Sequence, residues 1–137
     1  MTVEAFPNYI AGTWAAGSDA TPNINPSDIK DTIGHYAMAS ANDTAEAIGA
    51  AAKAFESWSR STSLVRAEAL DKIGTEVVAR KDEIGDMLAR EEGKTLREAT
   101  AEAHRAGSLF KYFATEAYRV TVSGFRSIRD NVELEVR

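Results

Sequence analysis

Residues 96–120, LREATAEAHRAGSLFKYFATEAYRV, carry small and apolar side chains at the spacing of one helical face. At about 100° per residue, a narrow sector of this helix holds Ala99, Ala103, Ala106, Phe110, Phe113 and Ala117. The sector has small side chains at its beginning and aromatic ones at its end. Because small side chains allow another backbone to come close, we predict a long helix over 96–120 that packs tightly.

The segment before position 60 shows the same helical spacing. Its apolar side chains recur three and four residues apart, at Ala45, Ile48, Ala52 and Phe55. Two starts fit the capping-box pattern, namely Asp43 with Glu46 or Ser40 with Asp43. We therefore predict a helix that begins at one of these two caps and ends at Trp58.

A further helix is expected between residues 61 and 91. Its apolar stripe consists of Leu64, Ala67, Leu70, Ile73 and Val77, and resumes at Ile84, Met87 and Leu88. The start is predicted at Ser61 or Ser63, and Arg80-Lys81-Asp82 is a plausible break. Gly93 ends the helix, because glycine tolerates the left-handed conformation found after helix ends. The three patterns together predict three long helices.

The two ends of the chain have a different pattern. Residues 1–38 contain all three prolines and several turn dipeptides, which predicts short strands and a hairpin around Ala11-Gly12. Residues 121–137 end in an alternation of apolar and charged side chains, which predicts a half-buried strand. The apolar positions of this strand are Val132, Leu134 and Val136. Because a strand needs a partner for its backbone groups and none follows, we expect the chain to be cut inside a longer fold.

Composition limits the classes of protein that this chain can be. It has 137 residues, 44% of them hydrophobic, and a net charge of −5, so nothing in it favours nucleic acid or an anionic membrane as a partner. The absence of cysteine excludes disulfides, thiolate metal sites and a cysteine nucleophile within these residues. No apolar run reaches the roughly 20 residues of a membrane span, and no signal sequence begins the chain. We expect a soluble, cytoplasmic protein.

Few residue patterns indicate catalysis. Gly93-Lys94-Thr95 is similar to the end of a phosphate-binding loop, but the glycine required five residues earlier is absent. His35 and His104 have no recognisable nucleophile or metal set around them, so a strand position and a helix surface are the favoured interpretations. A small enzyme built on His104 with Glu98 and Glu102 is disfavoured for the same reason.

The acidic pair Glu91-Glu92 lies at a predicted helix end. Carboxylates at that position meet the negative end of the helix dipole, which is unfavourable. A nearby cation would relieve this repulsion, and two sources are open at this point. Lys94 or solvent is the simpler explanation, and a bound metal ion is the alternative.

Several motifs, in one order, resemble the aldehyde dehydrogenase superfamily. They are Asn8-Tyr9-Ile10-Ala11-Gly12-Thr13-Trp14, Asn25-Pro26-Ser27 with Ile33-Gly34, Ala51-Ala52-Lys53-Ala54-Phe55 with Trp58, Arg66 with Leu70, Glu91-Glu92-Gly93-Lys94-Thr95, Phe110-Lys111-Tyr112-Phe113-Ala114, and Val132-Glu133-Leu134-Glu135-Val136. Each motif is weak alone, but their order and spacing over residues 8–137 are specific. The amino-acid sequence around Asn25 and Glu91 is most similar to that of the α-ketoglutarate semialdehyde dehydrogenase branch.

The resemblance implies an α/β fold of which this chain is an incomplete, N-terminal portion. That portion would hold three long helices, an N-terminal hairpin and a C-terminal strand. Residues 1–120 would belong to the cofactor-binding domain, and residues 121–137 would supply the first strand of the oligomerisation sheet. The complete enzyme is therefore expected to be a homo-oligomer.

The resemblance also implies an activity for the complete enzyme. It would oxidise an aldehyde, an acidic semialdehyde in particular, to a carboxylic acid with NAD or NADP. A cysteine thiolate would attack the carbonyl, hydride would pass to the nicotinamide, and activated water would release the acid. In the family, the catalytic cysteine, glutamate and asparagine and the cofactor-binding loop lie beyond the part that corresponds to residue 137. This chain alone is thus expected to have neither turnover nor cofactor affinity.

Two site assignments come from the resemblance. A monovalent cation, Na⁺ or K⁺, would lie between the Glu91 carboxylate and the backbone carbonyl of Ile24. Arg105 would face the substrate tunnel, where a guanidinium can hold the carboxylate of an acidic semialdehyde through two hydrogen bonds.

A different class of function is the alternative. The chain would then be a non-catalytic helical interaction module whose unfinished terminal strand pairs with another copy. Its support is the strand that ends residues 121–137 without an evident partner.

Overall fold

A computed structural model describes residues 5–119 and 124–135. The chain divides into two compact units, which we call unit 1 (Met1–Ser59 with Ala89–Lys94) and unit 2 (Arg60–Leu88 with Thr95–Arg137). Both strands and helices are present, as expected for the N-terminal portion of a mixed α/β fold. No helix of the described ranges is long and apolar enough to cross a membrane.

Unit 1 contains two antiparallel hairpins followed by a helix. The elements are β1 (Asn8–Ile10), β2 (Thr13–Ala15), β3 (Asp19–Ile24), β4 (Thr32–Met38) and α1 (Ala41–Trp58). Strand β1 pairs with β2, and β3 pairs with β4. The predicted hairpin at Ala11-Gly12 is confirmed: both residues have positive φ, 52° and 87°, as a tight two-residue turn between twisted strands requires.

Helix α1 confirms one of the two predicted caps. Ser40 is the N-cap: its hydroxyl accepts the Asp43 amide, and the Asp43 carboxylate accepts the Ser40 amide at 2.7 Å. The alternative start at Asp43 with Glu46 is wrong, because Asp43 lies inside the first turn. The helix ends at Trp58 as predicted.

Unit 2 is mainly helical. It contains α2 (Ser63–Ala79), most of α3 (Lys81–Glu92), α4 (Leu96–Glu116), β5 (Gly124–Arg126) and β6 (Glu133–Glu135). The possible break at Arg80 is real, so the described residues form four helices and not three. Helix α2 begins at Ser63, one of the two predicted starts, and its N-cap is Thr62, whose hydroxyl accepts the Val65 amide at 3.3 Å.

The C-terminal strand has a partner inside the chain, which corrects our expectation. Strand β6 pairs antiparallel with β5, with Phe125 opposite Leu134. The chain reverses between them through a turn in which Asn131 has a φ of 58° and the Ser127 amide donates to the Val132 carbonyl. The partner lies upstream of β6, whereas the expectation concerned only the residues after it. Helix α4 ends at Glu116, with Ala117 as its C-cap, and so is shorter than the helix predicted to reach Val120. Val136, the last apolar position of the predicted strand, lies outside the described residues.

Helices α2 and α4 pack closely, as the small residues predicted. A Cβ atom added at Gly107 would lie 2.6 Å from Val78 Cγ2 and 2.9 Å from the Gly74 carbonyl oxygen. A similar contact joins α3 to α4, where a Cβ at Gly85 would lie 2.7 Å from Thr100 Cα. Two helices that approach this closely leave no room for side chains, so glycine is required at the contact.

Only two positions of the predicted α4 face, Ala99 and Ala103, are buried, and Ala106 is exposed. The buried positions of α4 are Ala99, Ala103, Gly107 and Ala114. The aromatic end of the stripe is open, with Phe113 56% exposed, and α1 buries none of its residues. Among the described residues no large side chain is fully buried. The helices therefore carry apolar faces that the described part of the chain does not cover.

Candidate functional site

The site indicated by sequence lies in unit 1, where the loop between β3 and β4 meets the last turn of α3. Asp31 and Arg90 form a two-point ion pair there, with Nη2 to Oδ1 at 2.6 Å and Nε to Oδ2 at 2.8 Å. The Asn25 amide donates to the same carboxylate at 3.1 Å. The hydrogen bonds from Arg90 and then Asn25 lower the pKa of Asp31 from 3.8 to about 2. The loop is thus fastened to the helix end by a carboxylate that stays charged.

Glu91 is brought next to β3. Its Oε1 accepts a hydrogen bond from Asn23 Nδ2 at 2.9 Å. Asn23 precedes Ile24, and the register of β3 against β4 shifts between these two residues. The two predicted cation ligands therefore belong to one neighbourhood of unit 1, although they are 67 positions apart in sequence.

Lys94 supplies the positive charge predicted near the acidic pair, and the carboxylate that it neutralises is that of Glu92. Its Nζ lies 2.5 Å from Glu92 Oε2, which neutralises a carboxylate at the unfavourable end of the helix dipole. Glu91 instead receives the neutral Asn23 amide. The two carboxylates thus have different partners: Glu92 pairs with Lys94, and Glu91 accepts a hydrogen bond from Asn23.

Gly93 ends α3 with a φ of 70°, as predicted. A Cβ atom at this position would lie 2.9 Å from Ser27 Oγ and 3.0 Å from Pro26 Cγ. Ser27 also donates to the Gly93 carbonyl at 3.4 Å. Glycine is needed here both for the backbone conformation and for the close approach of the Asn25-Pro26-Ser27 turn.

A shallow cleft of about 350 Å³ opens beside Glu91. It is lined by Thr21, Pro22, Asn23, Tyr36 and Glu91. A carboxylate oxygen together with a backbone carbonyl oxygen is a donor set suited to a hard cation. Within the described ranges no three acidic, histidine or cysteine side chains cluster as a metal site, so an ion beside Glu91 would need backbone or amide oxygens in addition to the carboxylate.

Arg105 lies on α4 in unit 2 and is exposed. It belongs to unit 2, whereas Ile24 and Glu91 belong to unit 1. The nearby Glu98 has a structural role: its carboxylate accepts the Thr95 hydroxyl at 2.7 Å in a capping box that begins α4. Glu98 therefore has a capping role, which further disfavours the small enzyme built on His104 with Glu98 and Glu102.

The sequence analysis missed the Asp31–Arg90 pair. The two residues are separated by 59 positions, and nothing in either local pattern marks them as partners. The only available signal was that Asp31 follows the Asn25-Pro26-Ser27 turn and that Arg90 precedes Glu91, so that each adjoins a motif.

Comparison with known proteins identifies the family of this chain. The model of the aldehyde dehydrogenase family matches residues 14–137. The chain belongs to the aldehyde dehydrogenase family. An α-ketoglutarate semialdehyde dehydrogenase of Haloferax volcanii is 34% identical over 112 residues, which are 80% of this chain and 23% of that protein. An α-ketoglutaric semialdehyde dehydrogenase of Bacillus subtilis is 34% identical over 118 residues, 85% of this chain and 24% of its own length.

Solved structures of aldehyde dehydrogenases share the fold. A betaine aldehyde dehydrogenase of Staphylococcus aureus, a point mutant in complex with NAD⁺, superposes with a TM-score of 0.82 at 26% identity, covering 96% of this chain and 27% of that one. An NAD-dependent benzaldehyde dehydrogenase of Corynebacterium glutamicum gives 0.79 at 28% identity, over 92% of this chain and 28% of its own. The chain thus spans about a quarter of the length of the relatives it matches.

Proposed function

We propose that this chain is the amino-terminal portion of an NAD(P)-dependent aldehyde dehydrogenase that oxidises an acidic semialdehyde to a carboxylic acid. The family match over residues 14–137 carries the proposal, since relatives named for semialdehydes align with most of this chain and with about a quarter of themselves. NAD is favoured by structural relatives that hold NAD⁺. The interaction-module alternative loses its support, because the terminal strand is paired within the chain.

Within such an enzyme, this chain would pack against the rest of the protein and help to recognise the substrate, and it would not carry the catalytic nucleophile. Oxidation by this family's chemistry needs a thiol nucleophile, and these 137 residues contain no cysteine. The exposed apolar side chains of α1 and of the aromatic end of α4 fit packing against further protein, which residues 1–120 would do within a cofactor-binding domain. Residues 121–137 would then begin an oligomerisation sheet, in a cytoplasmic homo-oligomer.

The test is an assay of the complete gene product for NAD(P)-dependent oxidation of an acidic semialdehyde and of a neutral aldehyde of equal length. The 137-residue chain assayed alone is the matched control, and it should give neither turnover nor cofactor binding. A complete product that oxidises no aldehyde would overturn the proposal.

Arg105 is our candidate for recognition of the acidic substrate. It is exposed on α4, and a guanidinium can hold a carboxylate by two parallel hydrogen bonds. In the complete enzyme, Arg105→Ala should raise the KM for the acidic semialdehyde about tenfold or more and leave that for a neutral aldehyde unchanged, since a charge-assisted hydrogen bond contributes about 1.5–3 kcal/mol. Arg97→Ala, an exposed arginine at the start of the same helix, is the control. Equal changes for both substrates would contradict a recognition role.

Glu91 and the Ile24 carbonyl are our candidates for a Na⁺ or K⁺ site. Their oxygen donors suit such an ion, and the contact of Asn23 with Glu91 brings the two segments together. In the complete enzyme, replacing K⁺ by a large organic cation should lower thermal stability, and Glu91→Gln should abolish that dependence. Glu92→Gln, whose partner is Lys94, should keep it. A dependence that persists in Glu91→Gln would exclude this site.

A further inference from the structure

The β3–β4 hairpin has two outer edges, and one of them is blocked by its own residues. Successive backbone groups of a strand point to opposite edges, so Ala20 and Pro22 face away from β4. The Ala20 amide is occupied by its neighbour Asp19, whose Oδ1 accepts it at 2.8 Å. Pro22 has no amide hydrogen to offer. The outer edge of β3 therefore has no amide to donate to another strand at these two positions.

The outer edge of β4 is closed differently, by a residue from the start of the chain. Phe6 donates its amide to the His35 carbonyl at 2.7 Å and accepts the Ala37 amide at 3.0 Å. It thus forms a single parallel bridge opposite Tyr36. Phe6 thus uses two outward-facing backbone groups of β4, the His35 carbonyl and the Ala37 amide.

Side chains hold Phe6 in this position. Its ring stacks on Tyr36, with centroids 5.1 Å apart and an angle of 27° between the planes. Gly34 makes room for the ring, because a Cβ atom there would lie 2.7 Å from Phe6 Cε2. Since both backbone groups of Phe6 point to β4, those of Pro7 point outward, and proline presents no amide on that side.

Strand β4 has no side chains of its own that would protect an exposed edge. Its seven residues, TIGHYAM, include neither proline nor an acidic, lysine or arginine side chain, the features with which exposed edges commonly discourage pairing. We propose that Phe6 and Pro7 form an edge guard, which occupies β4 and prevents a second copy of this chain from adding a strand there. The occupant excluded is a second copy because β4 can pair antiparallel with itself without any further recognition.

The test compares two deletions of the full chain. Removing residues 2–6 deletes the guard, and removing residues 2–4 is the matched control that keeps Phe6. Site-resolved hydrogen exchange should show the Ala37 amide exchanging at least tenfold faster without the guard, while the Tyr36 amide, which faces β3, stays protected. Sedimentation velocity should show at least tenfold stronger self-association of the guardless chain than of the control.

A second substitution distinguishes edge pairing from nonspecific association. Ala37→Pro in the guardless chain removes the newly exposed amide without touching a β3 partner, and it should return self-association to the control level. Phe6→Ala should give an intermediate rise in Ala37 exchange. Unchanged Ala37 exchange, faster exchange without added association, or association that survives Ala37→Pro would each overturn the proposal. Loss of Tyr36 protection would also overturn it, since Phe6 would then support the whole hairpin. None of these outcomes depends on enzymatic activity.

Discussion

Each of the two units is held together internally by a different kind of contact. In unit 1, the β3–β4 loop is joined to the end of α3 by the Asp31–Arg90 pair, which has directional bonds and charge. In unit 2, α2 and α4 meet at Gly74 and Gly107, where the contact depends on the absence of side chains. A polar fastening should respond to pH and to removal of a donor, whereas a steric one should respond to volume alone. The predictions below test that difference.

The largest effect is expected from added volume between α2 and α4. Gly107→Ala places a methyl group 2.6 Å from Val78 Cγ2 and about as close to backbone atoms of α2, so the helices must separate. Such overpacking destabilises by about 1–3 kcal/mol, which exceeds the roughly 1 kcal/mol gained in helix propensity. Thermal or urea unfolding of the chain measures it.

The neighbouring residue Ser108 provides the control for this substitution. Ser108→Ala removes an exposed hydroxyl that bonds only within α4, so the unfolding free energy should change little. Equal stability of Gly107→Ala and the parent would mean that α2 and α4 do not touch at this point in solution.

The polar fastening should respond to pH. Because the folded pKa of Asp31, about 2, lies below the ordinary value of 3.8, the pair stabilises unit 1 above pH 3.8 and this contribution is lost as pH falls toward 2. Arg90→Gln removes the principal cause and should return the pKa of Asp31 toward 3.8. Carboxyl titration by NMR measures it.

Arg80→Gln is the matched control in the same helical region. Arg80 lowers the pKa of Glu83 by a hydrogen bond, so this variant should raise the pKa of Glu83 and leave that of Asp31 unchanged. If Asp31 titrated near 3.8 in the parent chain, the result would contradict the Asp31–Arg90 pair.

The sequence predicted the features that are decided within a few residues. The turn at Ala11-Gly12, the cap at Ser40 and the helix end at Gly93 each depend on the conformational preference or hydrogen bonding of adjacent residues. The start of α2 at Ser63 was one of two predicted, because neighbouring hydroxyl side chains can each cap a helix and the local pattern does not choose among them. Local chemistry therefore gives the existence of an element more surely than its first residue.

Contacts between distant residues could not be predicted in this way. Asp31 and Arg90 each look like ordinary surface charges, and only the fold makes them partners. The pairing of β6 with β5 was missed because β5 has only three residues and lacks a clear alternation. Helix-end electrostatics had made the Glu91-Glu92 pair a candidate for a cation, but the choice of Glu91 with Ile24 came only from the family resemblance.

A smaller effect is expected at the start of α1, which belongs to unit 1 and buries none of its residues. With little packing, this helix depends on its cap. Ser40→Ala removes the hydroxyl that accepts the Asp43 amide and should cost about 1 kcal/mol. The loss of helical signal at intermediate temperature measures this cost. Ser57→Ala, near the other end of α1, is the comparison. If the two variants melt alike, the cap does not hold α1.

The smallest effect should have the opposite sign to that at Gly107. Gly49 lies within α1, and a Cβ atom there would meet nothing within 4 Å. Gly49→Ala should therefore stabilise the chain by about 0.5–1 kcal/mol, because alanine loses less backbone freedom in a helix. Since Gly49→Ala and Gly107→Ala add the same methyl group to a helical glycine, their difference isolates the contact between helices. A destabilising Gly49→Ala would show that this face of α1 is covered when the chain folds, and the contrast between the two units would then be smaller than the structure indicates.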